Sequence, residues 1–278
     1  MKDKWLNILI VVLLAAGAGL LLYPTISNYM HDRDTVRLIA NYNNAYKNTE
    51  AEKRQEMIRQ AEQYNERLFS VRAPLYEPTQ VIGYNDTLDI TGTGIMGYID
   101  IEKIGVELPI YHGVDQGVLQ IGVGHLEGSS LPVGGENTHC ILTGHRGLPS
   151  AKLFTDLDEM KIGDKFTITV LDRVLTYEVD QIKVVLPEDT SELTIREGKD
   201  YCTLVTCTPY GINTHRLLIR GIRVEGGAAR TPGIFVTNEA FRIDSTIVAT
   251  VIALPLLITV TAVTVVLERR KTGHGKKH

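Results

Sequence analysis

The sequence predicts a mainly β domain, a sandwich or barrel of short strands, carried behind two helices and bracketed by two apolar segments. Three observations predict it. From Gly97 onward, short β-branched and aromatic runs alternate with turn residues, the texture of an antiparallel sandwich or barrel. Residues 31–68 are polar, with apolar positions at helical spacing. Trp5–Tyr23 and Thr246–Leu267 carry no charge, and each approaches the roughly 20 apolar residues that cross a bilayer.

The elements follow in chain order. Residues 1–24 read as an N-terminal membrane segment, a signal-anchor; the other reading is a cleaved signal peptide with Ala16-Gly-Ala18 as its small-residue site. Residues 25–69 read as juxtamembrane helices, broken at Asn48-Thr-Glu50, with Val36, Ile39, Tyr42 and Tyr46 on one face and Met57, Ala61, Tyr64 and Leu68 on the next. They are expected to pack on the main domain as a layer rather than to form a partner-binding hairpin. Residues 70–95, punctuated by Pro74, Pro78, Gly83, Gly92 and Gly94, form a connection long enough to suggest a lid or binding loop.

Residues 96–226 hold the β domain. Its expected strands are Gly97–Ile101, Glu107–Tyr111, His139–Thr143, Lys165–Val170, Leu175–Val179, Ile182–Leu186, Tyr201–Val205 and Leu217–Val224, with one helical patch at Ser150–Leu157. Residues 227–244 are a linker. Residues 245–267 are a second membrane helix, in which Pro255 is tolerable. Residues 268–278 are a basic tail. Lys2 and Lys4 before the first segment, and Arg269, Arg270, Lys271, Lys276 and Lys277 after the second, place both termini in the cytoplasm and the domain outside the cell membrane.

A net charge of -4 over 278 residues argues against nucleic acid, which would need a basic face. Three cysteines are too few for a disulfide scaffold. Cys140 and Cys202 sit in apolar runs and read as small buried hydrophobes; a bridge between them is left open. Cys202 and Cys207 face opposite sides of a strand, and no His or Cys pair has zinc-ligand spacing. A structural zinc is not expected.

Cys207 is different. A β-branched run delivers it to the point where Pro209 and Gly211 stop the strand, and Arg216 opens the next apolar run. Two strands leaving one loop would set a thiol beside a guanidinium, which is how a protein makes a nucleophile of a cysteine. Of the histidines, His145 closes the strand of Cys140 and is bracketed as Gly144-His-Arg-Gly147. The glycines allow a turn and close approach of a ligand. His125 shares the glycine preface but follows a weaker strand signal.

Thr203-Leu-Val-Thr-Cys207 and its extension through Arg216 resemble the signature of the class C, pilin-polymerising sortases of Gram-positive surfaces. So do Leu142-Thr-Gly-His-Arg-Gly-Leu-Pro149, His112-Gly, Gly124-His-Leu-Glu-Gly and the second apolar segment. The resemblance implies an eight-stranded sortase-type β-barrel. It implies Cys207 as nucleophile, His145 as general acid and base, and Arg216 as the support of the oxyanion. The reaction would open a Leu-Pro-x-Thr-Gly-like sorting signal at Thr–Gly through a thioester, then join it to a lysine amine of another pilin, a chemistry that needs no cofactor and no metal. Within the matched motifs Thr206, Tyr210, Asn213 and His125 become candidate substrate contacts. The class C lid would fall at Ala73, Pro74, Leu75 and Tyr76, where the family's Asp-Pro-aromatic pattern is absent; Tyr76 and Glu77 are a weaker substitute one residue later, and a looser, less inhibitory lid is the expectation. Two other readings stand beside the transpeptidase: a non-catalytic surface module that binds sorting signals or pilins, and a cysteine endopeptidase with water as acceptor.

Overall fold

The computed structural model describes residues 2–71, 75 and 81–225. The linker 227–244, the segment 245–267 and the tail 268–278 lie outside them, as do Ala73, Pro74 and Tyr76. Helix α1 covers Lys2–Asn48 and α2 covers Ala51–Ser70. Among the described residues, no helix is long and apolar enough to cross a membrane, so the two flanking spans find no support there.

The compact unit that carries the site begins at His31. Its strands are β1 (Ile95–Ile101), β2 (Val106–His112), β3 (Val123–His125), β4 (Thr138–Thr143), β5 (Lys165–Val170), β6 (Arg173–Val185), β7 (Asp200–Thr208) and β8 (His215–Arg223). A short helix, α3 (Gln116–Ile121), leads into β3. The strands close into a barrel in the order β1-β2-β3-β4-β7-β8-β6-β5. Closure removes the unpaired edges that an open sheet would present.

Eight strands were expected and eight are found, but not the same eight. Leu175–Val179 and Ile182–Leu186 are one strand, β6, whose register shifts between Val179 and Gln181 against β8. A bulge of this kind bends a strand without ending it. The strand missing from the sequence reading is β3, whose three residues are too few to show an alternation. The patch at Ser150–Leu157 is not a helix; it holds an isolated bridge, Leu148 to Ala151, and turns. Nor is the barrel wholly antiparallel: β2 runs parallel to β3, and β4 parallel to β7.

Alternation along β4, β7 and β8 separates an inner from an outer face. Cys140, Leu142, Cys202, Leu204, Leu217 and Ile219 point into the barrel and are buried. Both interior cysteines are free thiols, in register across the β4–β7 pair, and burial pushes the Cys202 thiol well up. The helices pack on the barrel as a layer, as expected. Tyr42 on α1 donates its hydroxyl to the Met96 carbonyl (3.0 Å) and accepts the Leu171 amide (2.9 Å). Asn65 on α2 pairs with both backbone groups of Leu131, at 3.1 and 2.7 Å. Ile39, Ile58, Ala61, Tyr64 and Leu68 are buried, whereas Val36 remains exposed.

Candidate active site

The parallel pairing of β4 with β7 is what builds the site. Parallel neighbours end on the same side of a sheet, so the residues that follow β4 emerge beside the end of β7. The ladder sets Thr143 against Val205, and the Gly144 amide continues it by donating to the Val205 carbonyl (3.0 Å). Carried two residues on, past the end of the ladder, this register brings the His145 turn out beside Cys207. On the other side β8 is antiparallel, and Arg216 is the direct partner of Cys207. His145, Cys207 and Arg216 thus form one row across three adjacent strands, all on the outer face.

Each member of the row is held from behind. Thr206 is buried, and its hydroxyl donates to the Gly144 carbonyl (2.8 Å), so β7 grips the backbone just before His145. A side chain at Gly144 would meet Phe154, whose Cδ2 lies 2.6 Å from the site of a Cβ. Phe154 also donates its amide to the His145 carbonyl (3.1 Å). The imidazole of His145 has no hydrogen-bond partner among the described residues, and burial holds its pKa below the usual value of 6.5. A histidine kept neutral at pH 7 is ready to accept a proton.

Arg216 is oriented by its own loop. Its Nη1 donates to the carbonyls of Asn213 (3.3 Å) and His215 (3.1 Å), and it forms no ion pair among the described residues. Among the described residues no carboxylate neutralises its charge, which sits beside Cys207 by strand pairing. Below the row, Val205 and Leu218 with Ile141 and Leu193 make an apolar strip, against which Leu75, Leu126 and Val185 pack. Leu75 is the described residue of the expected lid, and it lies on this strip.

The sequence-predicted substrate contacts divide. Tyr210 and Asn213 are exposed in the β7–β8 loop, where they can meet a ligand. Thr206 cannot, because its buried hydroxyl is a strut between β7 and the His145 turn. His125 is also corrected. It is wholly buried; its Nε2–H donates to the Ser130 carbonyl (2.8 Å), leaving Nδ1 to accept from the Tyr84 hydroxyl (3.0 Å). His139 is likewise interior, bonded to the Thr194 carbonyl (2.9 Å) and the Thr203 hydroxyl (2.7 Å). No group of three or more His, Cys, Asp or Glu among the described residues could hold a metal ion. The sequence reading missed Arg146, whose side chain is only 9% exposed beside the row.

The sortase-domain profile matches residues 99–224, from β1 to the end of β8. Sortase C1 of Streptococcus agalactiae superposes with a TM-score of 0.64 at 48% identity, covering 69% of this chain and 100% of that one. The chain belongs to the sortase family. A second class C sortase, sortase C of Streptococcus pneumoniae, is 43% identical with a TM-score of 0.63, covering 69% of this chain and 99% of that one. Sortase D of Bacillus subtilis is 36% identical over 131 residues, 46% of this chain. That match spans 63% of sortase D, just under two thirds of its length. The row of Cys207, His145 and Arg216 falls inside the region that the sortase profile covers.

Proposed function

We propose that the protein is a cysteine transpeptidase that opens a Leu-Pro-x-Thr-Gly-like sorting signal and passes the acyl chain to a pilin lysine. The observation that carries this reading is the row itself. A thiol on β7, an imidazole just past β4 whose pKa burial lowers, and on β8 a guanidinium with no ion pair among the described residues lie side by side on the outer face.

The chemistry follows from that order. The sulfur of Cys207 attacks the threonine carbonyl carbon while its proton passes to His145. The carbonyl oxygen becomes an oxyanion, and the Arg216 guanidinium offsets its charge. As the C–N bond breaks, His145 returns the proton to the leaving glycine amine, and a thioester remains. A lysine ε-amine then attacks the thioester, His145 takes its proton, and the Cys207 thiolate leaves and is reprotonated. The product is an isopeptide bond. The apolar strip of Ile141, Val205 and Leu218 beside Cys207 suits the leucine and proline of such a signal.

Kinship supports the acceptor. Sortase C of Streptococcus pneumoniae is described for its catalysis and its pilin substrate specificity, and 43% identity over the barrel supports a pilin acceptor here. The charge-free segments Trp5–Tyr23 and Thr246–Leu267 with their basic flanks support a domain tethered outside the cell membrane with both termini inside. Mixing the protein with a sorting-signal peptide and a purified pilin tests the reaction. Covalent ladders that vanish in Cys207→Ala are expected; free peptide acid without ladders would make the protein a hydrolase instead.

A further inference from the structure

We infer that Arg146, the residue after the catalytic histidine, is a positioning residue that clamps the His145 turn to the chain just past Cys207. The inference rests on the proposed role of the row and adds a member to its support.

Arg146 leaves the β4 exit and reaches the other catalytic segment. Its Nη2 is paired with Asp158 Oδ2 (2.5 Å), while its Nη1 donates to the Thr208 hydroxyl (3.4 Å), on the residue immediately after Cys207. The guanidinium carbon also stands 5.9 Å from the centre of the Tyr210 ring, within cation–π range. The contact is mutual. Gly147 adopts a φ of +79°, and a Cβ there would lie 2.9 Å from Tyr210 Cε2. Backbone bonds hold the rest of the turn: the Gly147 amide donates to the Thr155 hydroxyl (3.2 Å) and the Phe154 amide to the His145 carbonyl (3.1 Å). His145 is therefore fixed on both flanks, and Arg146 is the side chain that crosses to Thr208 and Tyr210.

Two features separate this residue from ordinary surface charge. Its side chain is only 9% exposed, and its Nε is buried with no partner among the described residues. Burying a cation with one donor unmet is unfavourable; an apolar side chain would fill the same space without that cost. What a guanidinium supplies is three directions at once: an ion pair to Asp158, a donor to Thr208 and a face to Tyr210. Those directions tie the His145 turn to the chain just past Cys207, and so hold the two segments of the row in one relative position.

The test uses the full-length protein and four variants: Arg146→Met, Arg146→Lys, Asp158→Asn and Thr208→Val. Sorting-signal cleavage, the rate of Cys207 alkylation by iodoacetamide at a fixed pH, and thermal melting are measured for each. Arg146→Met should lower kcat about 10²-fold, the cost of misplacing a catalytic group by about 1 Å, with KM within about twofold. Its rate of Cys207 alkylation at a fixed pH should fall with kcat, while its melting temperature stays near that of the parent. Arg146→Lys and Thr208→Val should fall between Met and the parent. An unchanged kcat in Arg146→Met, or a kcat loss that tracks melting across all four variants, overturns the inference. If Arg146→Met does not fold, Thr208→Val decides alone, since it removes the acceptor and leaves the cation. If the parent cleaves no sorting peptide, the proposed function fails, and the alkylation rates still decide whether Arg146 positions the pair.

Discussion

Two histidines with nearly the same local sequence end in opposite circumstances. Gly124-His125 closes β3 and Gly144-His145 follows β4, so each imidazole is prefaced by a glycine at a strand end. His125 is sealed among Tyr84, Ser129 and Ser130 with both ring nitrogens engaged. His145 is partly open, with no side-chain partner among the described residues. The difference comes from pairing. β3 is antiparallel to β4, so His125 lies against Leu142, among residues that face the interior. β4 is parallel to β7, so the residue past its end emerges beside Cys207 on the outer face. A local motif nominates a histidine, and strand direction decides whether it emerges beside Cys207 or is buried in the core.

The comparison breaks most visibly at the row. Cys207→Ala should abolish acyl transfer, a fall of about 10⁴-fold or more, and His145→Asn should approach it while leaving the melting temperature near that of the parent. Arg216→Ala should cost about 10²–10³ in kcat, because one oxyanion donor is lost. His125→Ala should do the reverse. It leaves the Ser130 carbonyl without its buried partner and opens a cavity in the core, a loss of about 3 kcal/mol in stability. Activity measured well below its melting temperature should stay within about threefold of the parent, since no atom of the row moves. A catalytic defect in His125→Ala at full stability would erase the distinction drawn here.

His139 extends the comparison to pH. Burial lowers its pKa to about 4, with the Arg220 and Arg196 cations acting in the same direction. The folded value lies below the unfolded 6.5, so the unfolded chain takes up the proton first. The stability contribution is complete above pH 6.5 and is lost as pH falls toward 4, by up to about 3 kcal/mol. Denaturant unfolding across that window should show the slope, and His139→Gln should flatten it. An unchanged slope would mean that the ring is not sealed by Thr194 and Thr203.

Much of this was legible before any coordinates. Cys207 and Arg216 flank one loop, and two strands leaving a loop must pair, so their adjacency followed from the sequence alone. The break between α1 and α2 was visible at Asn48-Thr-Glu50, where the apolar spacing lapses. What was not legible depends on partners distant in the chain. The fate of His125 is set by Tyr84, and the parallel pairing of β4 with β7 joins residues about sixty positions apart. Arg146 carried a weak signal, a charge directly after the candidate histidine, but its burial depends on Asp158, Thr208 and Tyr210. β3 was missed because a three-residue strand is defined by its neighbours rather than by its own alternation.

The smallest effect concerns the chain ahead of Tyr84. Leu75 packs on the strip formed by Ile141, Leu193, Val205 and Leu218, one step down the strands from Cys207 and Arg216. A lid that inhibits must also hold the guanidinium or cover the sulfur, and Ala73-Pro-Leu75 offers neither a carboxylate nor an aromatic ring for that purpose. One leucine on an apolar strip contributes only about 1.5–3 kcal/mol even when fully buried, and Leu75 is only partly so. Deleting Arg72–Glu77 should therefore raise the rate of Cys207 alkylation by no more than about threefold. Cleavage of a sorting peptide should gain more than alkylation does, because the peptide needs the strip that Leu75 occupies and iodoacetamide does not. A many-fold rise in alkylation would show that this segment shields the thiol as fully as an acid-and-aromatic lid.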